Sequence, residues 1–204
     1  SYTLNFPNIK SASAKLILSA ASNATGTSSF SITANGNNVG TLALSSMTGA
    51  IARIETNSYN FTPTQSELSI GLNFNRYNSS TKGYLNYVAV QALCALSVGN
   101  GQLIFNNGQH ASSNTINQYN ITNAASSLRI WDVTEVENTF QCGANFSGSN
   151  CQFKSADTAY KEYVAFDGSY YKTPTLIGSV RNQNLHGSAS MADMIIVAHP
   201  DFIG

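Results

Sequence analysis

The chain has 204 residues, enough for one good core or two small ones, and only 10% of them are charged, against roughly 25% in an ordinary soluble domain. Ten Lys and Arg cancel ten Asp and Glu and are scattered along the chain. That leaves no basic stripe for nucleic acid or anionic lipid. No apolar run approaches the roughly 18 residues that span a bilayer.

The polar surface must come from Ser, Thr, Asn and Gln, a choice common in secreted and cell-surface β proteins. Ser1–Phe6 lacks the basic start and apolar stretch of a signal peptide and reads as a strand. The N-terminus is therefore expected to be a boundary made by processing or cloning. In chain order, strands are predicted near Tyr2–Phe6, Ala14–Ala21, Ser28–Ala34, Gly40–Leu44 and Ile51–Asn57. The clearest is next: Leu68, Ile70, Leu72 and Phe74 alternate with Ser69, Gly71 and Asn73, the period of a half-buried strand. More are predicted near Tyr84–Ala92, Gln102–Phe105, Ile116–Ile121, Leu128–Val133, Phe140–Ala144, Cys151–Lys154 and Tyr163–Phe166. Turn residues separate them, among them Asn35-Gly36, Gly99-Asn100-Gly101, Asn107-Gly108 and Ser147-Gly148-Ser149. No amphipathic helix stands out before residue 168, and no motif repeats. Many short strands at close spacing predict a mainly β fold, an antiparallel β-sandwich of jelly-roll-like type over residues 1–168.

After Asp167-Gly168 the pattern changes. Ser169–Pro174 reads as an exit loop, Thr175–Val180 as extended, Arg181–Gly187 as a polar loop and Ser188–Met191 as one helical turn. Residues 169–191 form an interdomain linker in this reading. Met194–Ala198 is a continuous apolar run followed by His199-Pro200, the pattern of a strand covered on both faces in a parallel α/β sheet. Residues 192–204 are accordingly expected to be the first strand of a truncated α/β domain.

Few residues carry recognisable chemistry. Cys94, in Val90–Leu96, reads as an inert buried thiol. Cys142 and Cys151 flank the Ser-Gly-Ser turn. If they face each other across that hairpin they form a disulfide in an oxidising compartment, and the register decides. His110 reads as a solvated loop residue, His186 as a linker residue that could hydrogen-bond between domains, and His199 as a strand-end residue. No phosphate-binding glycine loop, HExxH or Gly-x-Ser-x-Gly elbow is present. The Asn-x-Ser/Thr triplets at Asn23, Asn60, Asn78, Asn120 and Asn145 are what chance gives in a chain of this composition. Asp157-Thr158-Ala159 is similar to a short O-glycosylation signal of exported Bacteroidetes proteins. Trp131 alternates with Ile130 and is expected to pack in the core. Tyr170 and Tyr171, in the exit loop, are candidates for a glycan platform or an interdomain contact. No residue is assigned a catalytic, cofactor-binding or metal-binding role.

Five segments converge on one family: Gly83–Val90, Arg129-Ile130-Trp131-Asp132-Val133-Thr134, Glu162–Asp167, Gly178–His186 with its Asn-Gln-Asn-Leu-His, and Ala192–Phe202. In this order they resemble the PorU-type sortases of type IX secretion, within the gingipain family of cysteine peptidases of Bacteroidetes. The resemblance is densest from about residue 83 onward; before that it lies mainly in the strand pattern. It implies a large exported protein at the cell surface or outer membrane, with β-rich regions ahead of a caspase-like peptidase domain. Its catalytic His and Cys would lie beyond Gly204, so this chain alone is expected to have no peptidase activity. The parent would be a cysteine peptidase that removes sorting domains from cargo and attaches the cargo to surface lipopolysaccharide. The implied role here is a non-catalytic sandwich supporting the downstream peptidase domain, with type IX secretion components or cargo as further partners and no cofactor. The competing reading is a carbohydrate-binding module of a secreted or surface protein.

Overall fold

The computed structural model describes residues 1–47, 51–108, 114–156, 158–169 and 171–179. Among them lie fourteen strands and no helix. In chain order these are β1 (Tyr2–Asn5), β2 (Ala14–Ser22), β3 (Ser28–Ala34), β4 (Asn37–Leu44), β5 (Arg53–Phe61), β6 (Glu67–Asn75) and β7 (Gly83–Gln91). They continue with β8 (Gln102–Asn106), β9 (Ile116–Ile121), β10 (Arg129–Asp132), β11 (Phe140–Gln141), β12 (Ala144–Ser147), β13 (Asn150–Ala156) and β14 (Glu162–Phe166).

Alternation decides which face of each strand is buried. In β3, Phe30, Ile32 and Ala34 point inward between partly covered Ser29, Ser31 and Thr33. In β2, Leu16, Leu18 and Ala20 do the same. The four-stranded sheet β1-β6-β3-β4 faces the three-stranded sheet β5-β2-β7, every pairing being antiparallel. Between them lie Leu16, Leu18, Ile32, Leu44, Leu68 and Ile70, each removed from water. Burying such a side chain contributes roughly 1.5–3 kcal/mol. The β3–β4 hairpin turns on Asn35-Gly36, both at positive φ (48° and 81°), the conformation a two-residue I′ loop demands.

The mainly β sandwich predicted from periodicity is what the chain forms, with its strands divided between two cores. Strands β8–β14 pair only among themselves, as a four-stranded sheet β11-β10-β14-β8 and a three-stranded sheet β12-β13-β9. Their core is built on Ile121, Ile130, Cys151, Phe153, Tyr163 and Ala165. It is aromatic: Phe105, Tyr119, Phe153 and Tyr163 contact one another with ring centroids 4.8–6.1 Å apart. The buried Tyr163 hydroxyl donates to Ser155 Oγ at 2.7 Å, so its polar tip is not stranded. The predicted strand Phe140–Ala144 is in fact the short β11 followed by the separate β12. The β12–β13 hairpin closes on Gly148 at φ 59° with Ser147 opposite Asn150.

The connecting segment 93–98 hydrogen-bonds to both halves. Lys10 N–H donates to Leu93 O (2.8 Å) and Ala95 N–H to Asn8 O (2.9 Å). Further on, Thr122 N–H donates to Leu96 O (3.0 Å) and Val98 N–H to Thr122 O (2.9 Å). Cys94 sits in this segment, partly buried, in an isolated antiparallel bridge with Ile9. Ser1–Tyr171 make up one unit; Lys172–Gly204 are a second, of which 172–179 are described and carry no regular element. The expected terminal strand at Met194–Ala198, the linker's end and His110, His186 and His199 lie outside the described residues, as do Asp157 and Tyr170.

Candidate functional site

Strand β10 carries the most informative short segment. Of Arg129-Ile130-Trp131-Asp132, Ile130 and Asp132 point inward and are buried, while Arg129 and Trp131 point outward. The expectation that Trp131 packs in the core is corrected: its side chain is 36% exposed, on the outer face of the four-stranded sheet. Period two allows only one of Ile130 and Trp131 inside, and Ile130 takes that place.

Register builds the rest of this face. Trp131 lies opposite Val164 of β14, and Val164 lies opposite Ile104 of β8. Ile104 is 70% exposed, so Trp131, Val164 and Ile104 form an apolar row across three strands. The Phe166 ring stands edge-on to Trp131, centroids 5.6 Å apart, and Tyr171 packs on Phe166 at 6.2 Å. A turn delivers Tyr171 there. Asp167 Oδ1 accepts from Ser169 N–H (2.8 Å) and Ser169 Oγ (2.6 Å), and Gly168 reverses the chain at φ 89°. Tyr171 itself remains 70% exposed. Together they make a contiguous patch of exposed and half-exposed aromatic and aliphatic side chains.

Beneath the row, β10 and β14 are clamped by a buried carboxylate. Asp132, 4% exposed, accepts through Oδ1 from Thr134 N–H (3.1 Å) and Thr134 Oγ1 (2.6 Å), and through Oδ2 from Lys161 Nζ (3.2 Å). Thr134 Oγ1 in turn accepts from Glu162 N–H at 3.0 Å. Burial pushes the Asp132 carboxyl up, but the Thr134 hydrogen bonds and the Lys161 ammonium together outweigh it, leaving the group below its ordinary value. Buried Asn107 extends the clamp: its Nδ2 donates to Ala159 O (2.8 Å) and its Oδ1 accepts from Lys161 N–H (2.7 Å). The aromatic row therefore stands on a rigid base.

The cysteines lie in or beside packed structure. The β12–β13 hairpin forms, but its register puts Phe146 opposite Cys151, and Cys94, Cys142 and Cys151 are free thiols. Cys151 and Cys142 both belong to the second core. Burial raises all three thiols; at Cys142 the Asp132 charge raises it further. A nucleophilic cysteine needs the opposite shift. No group of three or more His, Cys, Asp and Glu suited to a metal ion occurs among the described residues. Of the residues singled out from the sequence, Tyr171 is joined to Trp131 through Phe166, while Cys142 and Cys151 lie in the core away from that face's chemistry. Ile104 and the Asp132 clamp escaped sequence reading; Asp-x-Thr, a local side-chain-to-backbone motif, was the available signal for the clamp.

No family model matches the chain, and no curated protein does. Among solved structures, the fold is similar to the crystal structure of dimeric latent PorU from Porphyromonas gingivalis, with a TM-score of 0.71 and 18% identity. The match covers 91% of this chain and 19% of that one, so this chain spans about a fifth of the length of that protein.

Proposed function

We propose that this chain is a non-catalytic β-sandwich region of an exported, cell-surface PorU-like cysteine peptidase, a sortase of type IX secretion. Its work is to seat the peptidase domain that follows it in the parent protein and to help position cargo or secretion partners. The fold match to PorU over 91% of the chain carries the reading. It is supported by the five sequence segments that resemble the family. The seat is the outer row Trp131–Val164–Ile104 with Phe166 and Tyr171. A peptidase domain burying that row gains apolar contact that the isolated chain leaves in water.

The test separates the parts. The peptidase domain of the parent, produced alone, should bind this chain in calorimetry and lose at least about tenfold in affinity to a Trp131→Ala, Ile104→Ala double variant. Unchanged affinity would remove the seat; detectable peptidase activity of this chain alone would remove the whole reading. A second reading, a carbohydrate-binding module, is favoured by one observation, the exposed Trp131 and Tyr171 rings on which sugars can stack. Glycan-array binding that disappears with Tyr171→Ala would support it over a protein seat.

A further inference from the structure

The first sandwich carries a concave site that is independent of the aromatic row. The β3–β4 hairpin and the loop that leaves β5 enclose a cleft of about 310 Å³. Its polar wall is Asn37, Asn38, Asn60, Thr62 and Thr64, and Phe61 and Val39 supply apolar surface. Among the described residues, no ionisable side chain lines it.

The asparagines divide into two kinds. Asn35 is spent on structure: its Nδ2 donates to Glu67 O (3.1 Å) and its Oδ1 accepts from Ser69 N–H (2.6 Å), tying the hairpin tip to β6. Pro63, on the opposite wall, is buried. The amides of Asn37, Asn38 and Asn60 make no hydrogen bond within the described protein and are exposed to water. Three residues with free amides therefore line the rim of a hollow whose hairpin wall is held in place by Asn35.

We infer that this cleft binds a neutral saccharide. A carboxamide offers a donor and an acceptor side by side, the pair that a sugar hydroxyl, itself donor and acceptor, can use at once. Phe61 and Val39, partly buried against the first core, leave a small apolar edge for the C–H groups of a sugar ring. Anionic ligands would meet no cation here, and a metal ion would meet no carboxylate, thiolate or imidazole. The volume lies at the lower end of small-molecule pockets and suits one or two sugar rings. Exposed, water-exchanging hydrogen bonds give affinity in the millimolar range.

The probes are N-acetylglucosamine, galactose, mannose and rhamnose, titrated to millimolar concentration into the ¹⁵N-labelled chain. The side-chain amide resonances of Asn37, Asn38 and Asn60 should shift with at least one of them. An Asn38→Ala, Asn60→Ala double variant should weaken binding by roughly tenfold, while Trp131→Ala leaves it unchanged. All three positions are exposed, and an unaltered amide spectrum elsewhere shows that the variant is folded. Four silent titrations overturn the inference, as do shifts confined to Trp131 and Tyr171 or a double variant that binds like the parent. Glucuronate binding more tightly than the neutral sugars also overturns it. None of these outcomes bears on the peptidase-domain seat, which lies in the other sandwich.

Discussion

Asp132 offers the sharpest test of how the second sandwich is held. Asp132→Ala removes one acceptor of a backbone N–H, one of a hydroxyl and one of an ammonium at a site that is 4% exposed. Hydrogen bonds to a charged group contribute roughly 1.5–3 kcal/mol, and breaking a buried ion pair costs about 3–5 kcal/mol. The Lys161 side chain is 25% exposed and can turn toward water, so the pair counts for less than the fully buried figure. A loss of about 2–4 kcal/mol is expected for Asp132→Ala. Asp132→Asn keeps Oδ1 as an acceptor for Thr134 and gives up only the charge, for about 1–2 kcal/mol. The protein supplies its own probe, because Trp131 is the only tryptophan and sits in the strand being tested. Urea titrations followed by Trp131 fluorescence therefore read the second sandwich. With slopes of about 1–3 kcal/mol per molar urea, the alanine variant should unfold roughly 1–2 M earlier than the parent.

The pH dependence follows from the same contacts. The folded Asp132 has a pKa below its ordinary value of 3.8, so its stabilising contribution is complete above that value. It is lost as pH falls from there through the lower folded-state value. The gap between parent and Asp132→Asn should be full at neutral pH and shrink progressively below about pH 4. Equal midpoints for the two at neutral pH, or a gap that persists undiminished in acid below the folded pKa, would refute the argument.

A Cβ on Gly83 would lie 2.7 Å from the Phe74 ring and 2.9 Å from Phe30, so Gly83→Ala should cost about 1–3 kcal/mol by far-UV circular dichroism in urea. Asn107→Ala should destabilise the second sandwich by about 2–3 kcal/mol, read by Trp131 fluorescence, because it strips the partners from Ala159 O and Lys161 N–H. Three thiols per chain should titrate after denaturation without reductant, and slowly before it at neutral pH, since burial raises Cys94, Cys142 and Cys151. Trp131→Ala, on the outer face, should change stability by no more than about 1 kcal/mol, which keeps a test of the proposed docking separable from folding.

Strand by strand, the fold was most legible where one face is dry, as in β2, β3, β6 and β10. Leu68, Ile70, Leu72 and Phe74 announce β6 by alternation alone, and Asn35-Gly36 announces its hairpin by the positive φ that few other residues accept. The division into two cores was not legible. Alternation tells which side chains turn inward, and says nothing about which other strands they meet. Phe105 and Phe74 have the same pattern around them, yet one packs with Tyr163 and the other with Phe30. The β11–β12 break was hidden for a related reason: Gly143 interrupts five residues whose composition still suits a single strand.

The candidate site shows the same limit from the other side. Arg129-Ile130-Trp131-Asp132 was legible as a strand, but two inward-outward assignments satisfy its period, and hydrophobicity favours neither Ile130 nor Trp131 decisively. What settles it is Asp132. The Thr134 hydroxyl, the Thr134 N–H and the Lys161 ammonium all meet its carboxylate on the inner edge of the sheet. A carboxylate with three partners inside fixes Ile130 beside it, two residues away from Leu128, and turns Trp131 out. The exposed tryptophan is thus a consequence of a buried acid. The outer face of β8, β10 and β14 is set by a polar contact that hydropathy reads as a surface residue.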